Sequence, residues 1–282
     1  HFIIRRSLQE PKFLGHAIFW QLMSECHLSH LQQRFSLLVL NLLYGMGFYR
    51  EELLAGYKFT RDLYTLSQEF LGLSASDATV LLRQRLVDIH IPDEFHLPID
   101  SRIIVKNFII DECRVMSSKK KPFWLSFEPY NPIVGRHIQL LFKVGDDLRQ
   151  DQLTLQVMKV MEHLWRVNGL ELQMRLYGVL PTGDNQGFVE VVPNSVTEAH
   201  IQKQKGKFKG AFNADIFKDY LKERWVNQQG YEAAVHNFFC SSIGYAVATC
   251  ILGIGDRHPD NVMIQEDGHF FHIDFGHFLG HF

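Results

Sequence analysis

The sequence predicts an α+β protein in which helices come first, a strand-rich region follows and helices return. Through residues 1–90, apolar side chains recur at helical spacing, as at Leu82 and Leu86, and Pro92 then ends the helical pattern. From about residue 102 the pattern changes to short apolar runs separated by Pro, Gly, Asn and Lys, which is typical of strands.

The composition is that of a globular protein and excludes some functional classes. Hydrophobic residues make up 46% of the chain and charged residues 21%, which is ordinary for a chain that buries a core. The formal net charge of −2 argues against a nucleic-acid binder, which depends on positive charge. The four cysteines form no C-x-x-C pair, so we expect a reducing, intracellular location. The apolar stretch 35–48 is too short to span a bilayer.

Residues 1–48 are predicted to form two adjacent amphipathic helices, the second of which ends at Gly45 and Gly47. Such a helical hairpin is typical of the end of a helical array. Two more helices are predicted between residues 50 and 90. The first of them has a predicted buried stripe, which consists of Leu53, Leu54, Tyr57, Leu63, Leu66 and Phe70.

Three apolar runs, 102–115, 123–127 and 138–142, predict the strands. The loop 116–121 between the first two contains Ser118 and three consecutive lysines. A solvated loop is the simplest interpretation of these lysines, although backbone N–H groups, a hydroxyl and ammonium groups together can also contact a triphosphate. The chain has no Walker A motif, which excludes a P-loop NTPase.

A strand is predicted to end in Lys143, and a helix is predicted to begin at about Arg149. Kinases hold the phosphates of ATP with a strand lysine followed by a helix that carries carboxylates. Taken alone, Lys143 is better explained as a surface residue. The helix has one predicted apolar face, which consists of Leu153, Val157, Val160, Met161 and Leu164.

The extended run 188–193 can present backbone N–H and C=O groups between apolar side chains, as adenine binding requires. An ordinary buried strand explains this run equally well. Residues 195–251 return to a helical pattern. The long helix 231–250 is predicted to pack through one face, which consists of Val235, Phe238, Ser242, Tyr245 and Thr249.

The strongest functional pattern is the last one along the chain. The loop 255–261 is rich in Asp, Arg, His and Asn. Two short apolar runs around Asp267-Gly268 then predict a β-hairpin. The tripeptide Asp274-Phe275-Gly276 follows the second run.

This order of residues matches the needs of phosphoryl transfer, which are oxygen ligands for Mg²⁺, a group that handles a proton, and cations for phosphate. Asp256 and Asn261 have the D-x-x-x-x-N spacing of a kinase catalytic loop, and Asp274 opens a D-F-G tripeptide. Asn261 and Asp274 are therefore candidate metal ligands. Asp256 and His258 are candidates for proton transfer, and Arg257 is a candidate anchor of the loop. With this pattern present, Lys143 is the candidate ATP lysine.

The motifs FKVGDDLRQD, GIGDRHPDN and FHIDFGHFLG closely resemble those of the phosphoinositide 3-kinase superfamily. The resemblance covers nearly the whole chain. It implies a bilobal, protein-kinase-like lipid kinase fold preceded by an α-helical, α-solenoid segment. It also implies a class I or class II catalytic subunit, because the stretch KVGDDLRQDQLTLQ and the lysine loop, residues 116–121, are similar to those of class I or class II enzymes, and class I is favoured of the two. The implied activity is ATP-dependent transfer of the γ-phosphate to the 3-hydroxyl of the inositol ring in membrane phosphatidylinositol lipids.

By the same resemblance, residues 1–48 are the end of the helical domain, and residues 49–193 are the kinase N-lobe with its leading helices and hinge. Residues 194–282 are then the kinase C-lobe, truncated after D-F-G. The activation loop would lie outside the chain, so we expect this fragment alone to be inactive.

The resemblance implies catalytic roles for Asp256, Arg257 and His258, and Mg²⁺ ligation by Asn261 and Asp274. It further implies a set of ATP-binding residues, namely Met116, Ser118, Lys119, Lys120, Pro122, Trp124, Lys143, Asp146, Asp151, Tyr177, Val189, Glu190, Val191, Val192, Met263 and Ile273. The expected partners are ATP, phosphatidylinositol lipids at a membrane surface and a regulatory subunit, without nucleic acid. The expected location is cytoplasmic, with peripheral recruitment to membranes.

Two stretches depart from the usual residues of the family, Pro259 and Ser241-Ser242-Ile243. Proline at position 259 is more familiar in the protein-kinase branch of the superfamily, so a protein Ser/Thr kinase stays an alternative. A phosphatidylinositol 4-kinase is a second alternative. A non-catalytic kinase-like scaffold is less favoured because the chain retains the residues of the chemistry, which are Lys143, Asp256, His258, Asn261 and Asp274.

Overall fold

The structure is a computed structural model that describes residues 2–134, 136–204, 215–277 and 279. The chain divides into two compact units. The N-terminal unit comprises His1–Arg149 and Gly178–Val191, and the C-terminal unit comprises Gln150–Tyr177 and Val192–Phe282, each over its described residues. The predicted domain boundaries after residues 48 and 193 stay predictions.

The N-terminal unit begins with helices, as the periodicity predicts, but residues 2–48 form three described α-helices rather than the two predicted. After a short π-helical turn at Pro11–Gly15, the described helices continue to residue 86. Their bounds are α1 Phe2–Gln9, α2 His16–Glu25, α3 Ser29–Gly45, α4 Tyr49–Gln68 and α5 Ala75–Leu86. Helix α5 has a defined N-cap, because the hydroxyl of Ser74 accepts a hydrogen bond from the N–H of Asp77.

Helices α2, α3 and α4 pack around a shared apolar cluster that includes Trp20, Leu42 and Leu53. One part of the predicted stripe on α4 is wrong, because Leu54 and Tyr57 are exposed. The buried face of α4 instead passes through Leu53, Gly56, Phe59, Thr60, Leu63 and Leu66. Position 54 lies on the opposite side of the helix from most of these residues and position 57 lies beyond the edge of their face, which leaves both side chains exposed.

The strands of the N-terminal unit form a single antiparallel sheet with the order β1-β2-β4-β5-β7-β6, and β3 pairs with β4. Their bounds are β1 Phe95–His96, β2 Ile104–Phe108, β3 Arg114–Val115, β4 Phe123–Pro129, β5 Ile138–Val144, β6 Val179–Gly183 and β7 Gln186–Glu190. The predicted run 102–115 is therefore two strands, separated by a 3₁₀ turn at Ile110–Glu112. One face of the sheet packs on α4 and α5 through an aromatic cluster that includes Phe59, Phe123, Phe142 and Phe188.

The C-terminal unit combines helices with a three-stranded antiparallel sheet of order β10-β9-β8. Its elements are α6 Arg149–Val167, whose first residue belongs to the other unit, β8 Ser195–Thr197, α7 Glu198–Gln204, α8 Ile216–Arg224, α9 Gln228–Leu252, β9 Val262–Gln265 and β10 Phe270–His272. The predicted hairpin is confirmed, since Ile264 pairs with Phe270 and Met263 with Phe271. Its turn requires Gly268, where φ is +96° and a Cβ atom would lie 1.9 Å from the carbonyl oxygen of Ala234.

Helix α6 begins where the sequence predicts, but its predicted buried face is wrong. Leu153, Val160 and Leu164 are exposed, whereas Leu155 and Met158 are buried. The helix carries apolar residues on more than one side, so hydrophobic spacing alone cannot select the side that packs.

Helix α9 is long and apolar enough, by length and composition alone, to cross a membrane. A packed core helix meets the same criteria. Its packed face is only partly the predicted one, because Tyr245 is buried as predicted but Val235 is exposed. The buried residues of α9 are Ala234, Ser241, Gly244, Tyr245, Ala248 and Leu252.

Candidate active site

The strand register of the N-terminal unit places three predicted nucleotide-binding residues on one face of the sheet. Trp124 lies opposite Leu141 on the neighbouring strand, and Leu141 lies opposite Val189. Directly paired residues share a face and side chains alternate along a strand, so Lys143 lies on this face as well. The alternating residues of the same strands form the buried aromatic cluster on the other face.

Lys143 is held in place by a carboxylate three residues further along the chain. Its Nζ lies 3.1 Å from Oδ2 of Asp146. The ammonium of Lys120 also donates to Asp146, so two cations share one acid. Burial acts to raise the pKa of Asp146, but the hydrogen bonds and charges of Lys120 and Lys143 outweigh it and hold the pKa below its ordinary value. The cluster is therefore a fixed pair of cations around an ionised carboxylate.

The lysine loop between β3 and β4 is closed by its own backbone. Met116 N–H donates to the carbonyl of Pro122, and Lys121 N–H donates to the carbonyl of Ser118. The ammonium of Lys121 turns toward the carbonyls of Phe70 and Leu73 beyond the end of α4. Lys119 forms no ion pair with any described residue, so its charge is available to an anionic ligand.

The predicted adenine-binding run, residues 188–193, begins within β7 and continues past the end of that strand at Glu190. Glu190 and Gly178 bind each other twice, because Glu190 N–H donates to the Gly178 carbonyl at 2.8 Å and Glu190 Oε2 accepts from Gly178 N–H at 2.7 Å. Val191 N–H donates to the carbonyl of Gln139. The N–H of Val192 has no hydrogen-bond partner within the described residues, and this residue is 5% exposed. A buried backbone donor without a partner suits a ligand acceptor.

In the C-terminal unit, Arg257 anchors the loop 255–261 to the D-F-G segment. Its guanidinium donates to the carbonyls of Gly255 and Ile273, both at 2.8 Å, and to the carbonyl of Asp274. Burial lowers the pKa of Arg257, while the charges of Asp274 and Asp256 act in the opposite direction. Because its donors are engaged by backbone carbonyls, Arg257 has the contacts of an anchor for the loop, and its catalytic role stays a prediction.

Asp256 and Asp274 both have left-handed backbone conformations, with φ of 53° and 60°. Aspartate is one of the few side chains besides glycine that adopts this conformation, which is strained for most residues. Such outliers persist only where neighbouring contacts hold them, and Arg257 provides such contacts at Gly255, Ile273 and Asp274.

Asn261 and Asp274 present oxygen atoms that suit a hard cation. Asn261 is 7% exposed, and its Nδ2 donates to the carbonyl of Asp256 at 3.0 Å, which leaves Oδ1 as the free acceptor. Ile273 N–H donates to the carbonyl of Asn261 at 3.1 Å, which joins the loop to the strand before Asp274. The exposed carboxylate of Asp274 makes no hydrogen bond within the described part of the chain. An amide oxygen and a carboxylate are ligands that Mg²⁺ accepts together with substrate phosphates and water.

The exposed polar side chains of the loop are those of Asp256, His258 and Asp260. Nδ1 of His258 accepts a hydrogen bond from the N–H of Asp260 at 3.2 Å. A neutral ring in this arrangement carries its proton on Nε2 and presents it outward. The carboxylate of Asp256 can then accept a proton, as the D-x-x-x-x-N spacing predicts.

The apolar part of the candidate site in the C-terminal unit consists of Tyr177, Met263 and Phe271. The ring of Tyr177 packs edge-on against Phe271, with centroids 6.3 Å apart. Met263 pairs with Phe271 across the hairpin. Burial raises the pKa of Tyr177, and the charges of Asp151 and Asp274 add to this effect, so the phenol stays neutral.

Sequence reasoning missed Gln150. Its Nε2 donates to the carbonyls of Phe275 and Gly276, both at 3.0 Å. The neighbouring Asp151, predicted as an ATP-binding carboxylate, accepts the N–H of Phe275 at 2.9 Å through Oδ1. A polar pair in the first turn of a helix was the available signal. In the sequence alone, such a pair looks like ordinary solvated surface, because its backbone partners at Phe275 and Gly276 are distant in the chain.

The predicted residues thus gather into two groups, one in each unit. The N-terminal group contains the lysine loop, Lys143 with Asp146, and the run that ends at Val191. The C-terminal group contains the loop 255–261, Tyr177, Met263 and the D-F-G segment. The first group is rich in cations and free donors, and the second is rich in oxygen ligands. Together these are the functional groups that phosphoryl transfer from a nucleotide requires.

Comparison with known proteins supports the same chemistry. Residues 137–282 match the family model described as phosphatidylinositol 3- and 4-kinase. The whole chain is 41% identical to phosphatidylinositol 3-kinase 2 and 39% identical to phosphatidylinositol 3-kinase 1, both of Dictyostelium discoideum. Over 99% of its length it is 35% identical to the phosphatidylinositol 3-kinase C2 domain-containing subunit gamma of Rattus norvegicus. The chain spans 15%, 18% and 19% of the lengths of these three relatives.

Proposed function

We propose, on the premise that this chain belongs to the phosphatidylinositol 3- and 4-kinase family, that it is the catalytic part of an ATP-dependent phosphoinositide 3-kinase. The reaction would transfer the γ-phosphate of ATP to the 3-hydroxyl of the inositol ring of a membrane phosphatidylinositol lipid. Relatives named phosphatidylinositol 3-kinase match over the complete chain, which supports 3-kinase activity over 4-kinase activity. The observation that carries the proposal is the D-F-G segment, held by Arg257 with the carboxylate of Asp274 left free.

In this proposal the N-terminal unit binds the nucleotide. Lys143, prearranged by Asp146, would contact the ATP phosphates, and Lys119 with Ser118 would contact them from the lysine loop. The adenine would bind the backbone at Glu190 and Val192. The neighbouring ATP-binding residues would be Met116, Lys120, Pro122, Trp124, Val189 and Val191.

The C-terminal unit would supply the groups closest to the transferred phosphate. Asn261 and Asp274 would hold Mg²⁺, which when bound neutralises phosphate charge. The Asp256 carboxylate would accept the proton of the inositol hydroxyl, and the Nε2 proton of His258 would stabilise charge on the transferred group. Tyr177, Met263 and Ile273 would form the apolar surroundings of the nucleotide.

Further features of the protein belong to the same proposal. Helices α1, α2 and α3 would be the end of an α-solenoid accessory domain, residues 1–48, ahead of a kinase N-lobe and C-lobe divided at residue 193. The lysine loop suits a class I or a class II enzyme; we favour class I, whereas a C2 domain-containing relative supports class II. A regulatory subunit and peripheral recruitment from the cytoplasm to membranes would accompany a class I enzyme.

The substrate class can be tested on the natural full-length protein. ATP consumption and phosphate transfer are measured with phosphatidylinositol vesicles, with neutral phosphatidylcholine vesicles and with a generic Ser/Thr peptide. The proposal expects transfer to the phosphatidylinositol vesicles and to neither of the others. Transfer to peptide alone would identify a protein kinase, for which Pro259 is the supporting residue.

A further inference from the structure

The left-handed backbone conformation of Asp274 needs stabilising contacts, which the proposed function does not account for. Asp274 is exposed and has a φ of 60°, whereas the next residue, Phe275, is completely buried. The left-handed conformation brings the Cβ atom close to backbone carbonyl oxygen and is disfavoured without outside contacts. Something must therefore hold the chain on both sides of Asp274.

Arg257 holds the chain before and at Asp274. Its Nη1 donates to the Ile273 carbonyl at 2.8 Å, and its Nη2 donates to the carbonyl of Asp274 itself. These contacts fix the approach of the chain to Asp274. They do not involve the peptide groups of Phe275 and Gly276, which follow Asp274.

Two side chains from the first turn of α6 hold the chain after Asp274. Oδ1 of Asp151 accepts the N–H of Phe275 at 2.9 Å. Nε2 of Gln150 donates to the carbonyls of Phe275 and Gly276 at 3.0 Å each. The adjacent residues Gln150 and Asp151 thus bind both the amide donor and the carbonyl acceptors of the backbone segment 275–276.

We propose that Gln150 and Asp151 are positioning residues that hold Asp274 in the left-handed conformation in which its carboxylate is presented to a metal ion. The proposal deepens the proposed function and rests on it for the role of the metal. In this role Asp151 acts through its hydrogen bond to the N–H of Phe275, rather than through its charge on a nucleotide. Gln150 acts through the N–H groups of its amide, which a carboxylate cannot replace, because its partners are carbonyl oxygens and need a donor.

This role has a specific signature among variants of the natural full-length protein. Asp151→Asn keeps an oxygen that can accept the N–H of Phe275, whereas Asp151→Ala does not. Gln150→Glu keeps the size of the side chain but places a carboxylate against two carbonyls. Gln156→Glu is the matched control, since Gln156 is exposed on the same helix.

The first readout is hydrogen exchange at the amide of Phe275, which does not depend on activity. We expect Asp151→Ala to speed this exchange by about tenfold or more, and Asp151→Asn to restore protection. The second readout is the Mg²⁺ dependence of ATP binding by calorimetry. We expect Asp151→Ala and Gln150→Glu to weaken the apparent Mg²⁺ affinity by about 10- to 100-fold, as is common for groups that orient metal ligands. Asp151→Asn should recover most of that loss, and Gln156→Glu should show none.

Two results would overturn the proposal. One is an Asp151→Asn variant that is as impaired as Asp151→Ala, which would mean that the charge of Asp151 matters. The other is unchanged Phe275 exchange in Asp151→Ala. If Asp151→Ala does not fold, Asp151→Asn and Gln150→Glu still decide the question. A protein that phosphorylates no lipid would refute the proposed function, yet the exchange readout at Phe275 would still test the role of these two residues.

Discussion

Lys143 and Asp146 form an ion pair at the end of β5, with Nζ and Oδ2 separated by 3.1 Å. Their side chains are only 27% and 23% exposed, so the pair is partly removed from water. A partly desolvated pair is screened less than a surface pair and keeps the lysine in one place. ATP phosphate would thus meet an ammonium group that is already oriented.

Replacing this lysine should weaken nucleotide binding. A charge-assisted contact of this kind contributes roughly 1.5–3 kcal/mol, so Lys143→Ala should weaken ATP binding by about ten- to hundredfold. Calorimetry on the natural full-length protein measures this change. Lys106→Ala is the control, since Lys106 lies on β2 of the same sheet and makes only long contacts in the described residues, to Glu128 at 3.9 Å and to the ring of Tyr130 at 5.8 Å. Equal ATP affinity in wild type and Lys143→Ala would remove Lys143 from the site.

Asp274→Asn should leave the fold intact and remove activity. The carboxylate is exposed and makes no hydrogen bond within the described residues, so its loss costs little stability. An amide is a poorer ligand for Mg²⁺ than a carboxylate, and kcat should fall by at least about a hundredfold, by analogy with other groups that stabilise developing charge. Asp88→Asn, an exposed aspartate after α5, is the control. Normal Mg²⁺-dependent turnover in Asp274→Asn would show that the metal is held elsewhere.

Arg257→Ala distinguishes an anchor from a phosphate ligand. Loss of the guanidinium releases three carbonyls, those of Gly255, Ile273 and Asp274. We expect the free energy of unfolding to fall by roughly 1.5–3 kcal/mol and kcat to fall with it, while ATP affinity changes by less than Lys143→Ala causes. Urea unfolding and calorimetry measure the two effects. The anchor role is wrong if stability is unchanged and ATP affinity alone is lost.

His16 should make the N-terminal unit less stable in acid. Its Nε2 lies 2.7 Å from the carbonyl of Pro98 and its Nδ1 lies 2.8 Å from the hydroxyl of Tyr49. Burial lowers the pKa of His16 below its ordinary value of 6.5, an effect that the hydrogen bond to Pro98 and the charge of Asp100 only partly offset. The unfolded chain therefore takes up this proton before the folded chain does. The stability is fully present above about pH 6.5 and is lost as the pH falls toward the lower folded pKa.

Urea unfolding at pH 7.5 and pH 5 measures this effect. His16→Gln keeps polar contacts but cannot titrate, so the difference in stability between the two pH values should shrink. The exposed His30→Gln on α3 serves as the control and should keep the wild-type difference. A difference that His16→Gln leaves unchanged would show that other groups cause the acid sensitivity.

The local parts of this structure could be predicted from the sequence. The β9–β10 hairpin follows from Asp267-Gly268 between two apolar runs, and the strand that carries Lys143 follows from its spacing. The start of α6 at Arg149 follows from the loss of strand pattern after Gly145. Each of these signals lies within about ten residues of the feature that it predicts.

The parts that depend on distant partners could not be predicted. Leu153 and Leu155 are both apolar residues of α6, and only the packing of the unit decides that Leu155 is the buried one. The role of Gln150 depends on the carbonyls of Phe275 and Gly276, about 125 residues away in sequence. The left-handed backbone at Asp274 depends on the same contacts, so no local pattern could indicate it.

The position of the phosphate on the lipid product tests the central claim most directly. The natural full-length protein is incubated with phosphatidylinositol vesicles, Mg²⁺ and ATP, the lipid is deacylated, and the product is separated from 3-, 4- and 5-phosphate standards. We predict the 3-phosphate from wild type and no product from Asp274→Asn. Formation of the 4-phosphate by wild type, or equal product from Asp274→Asn, would contradict the assignment of this chain to phosphoinositide 3-kinase catalysis.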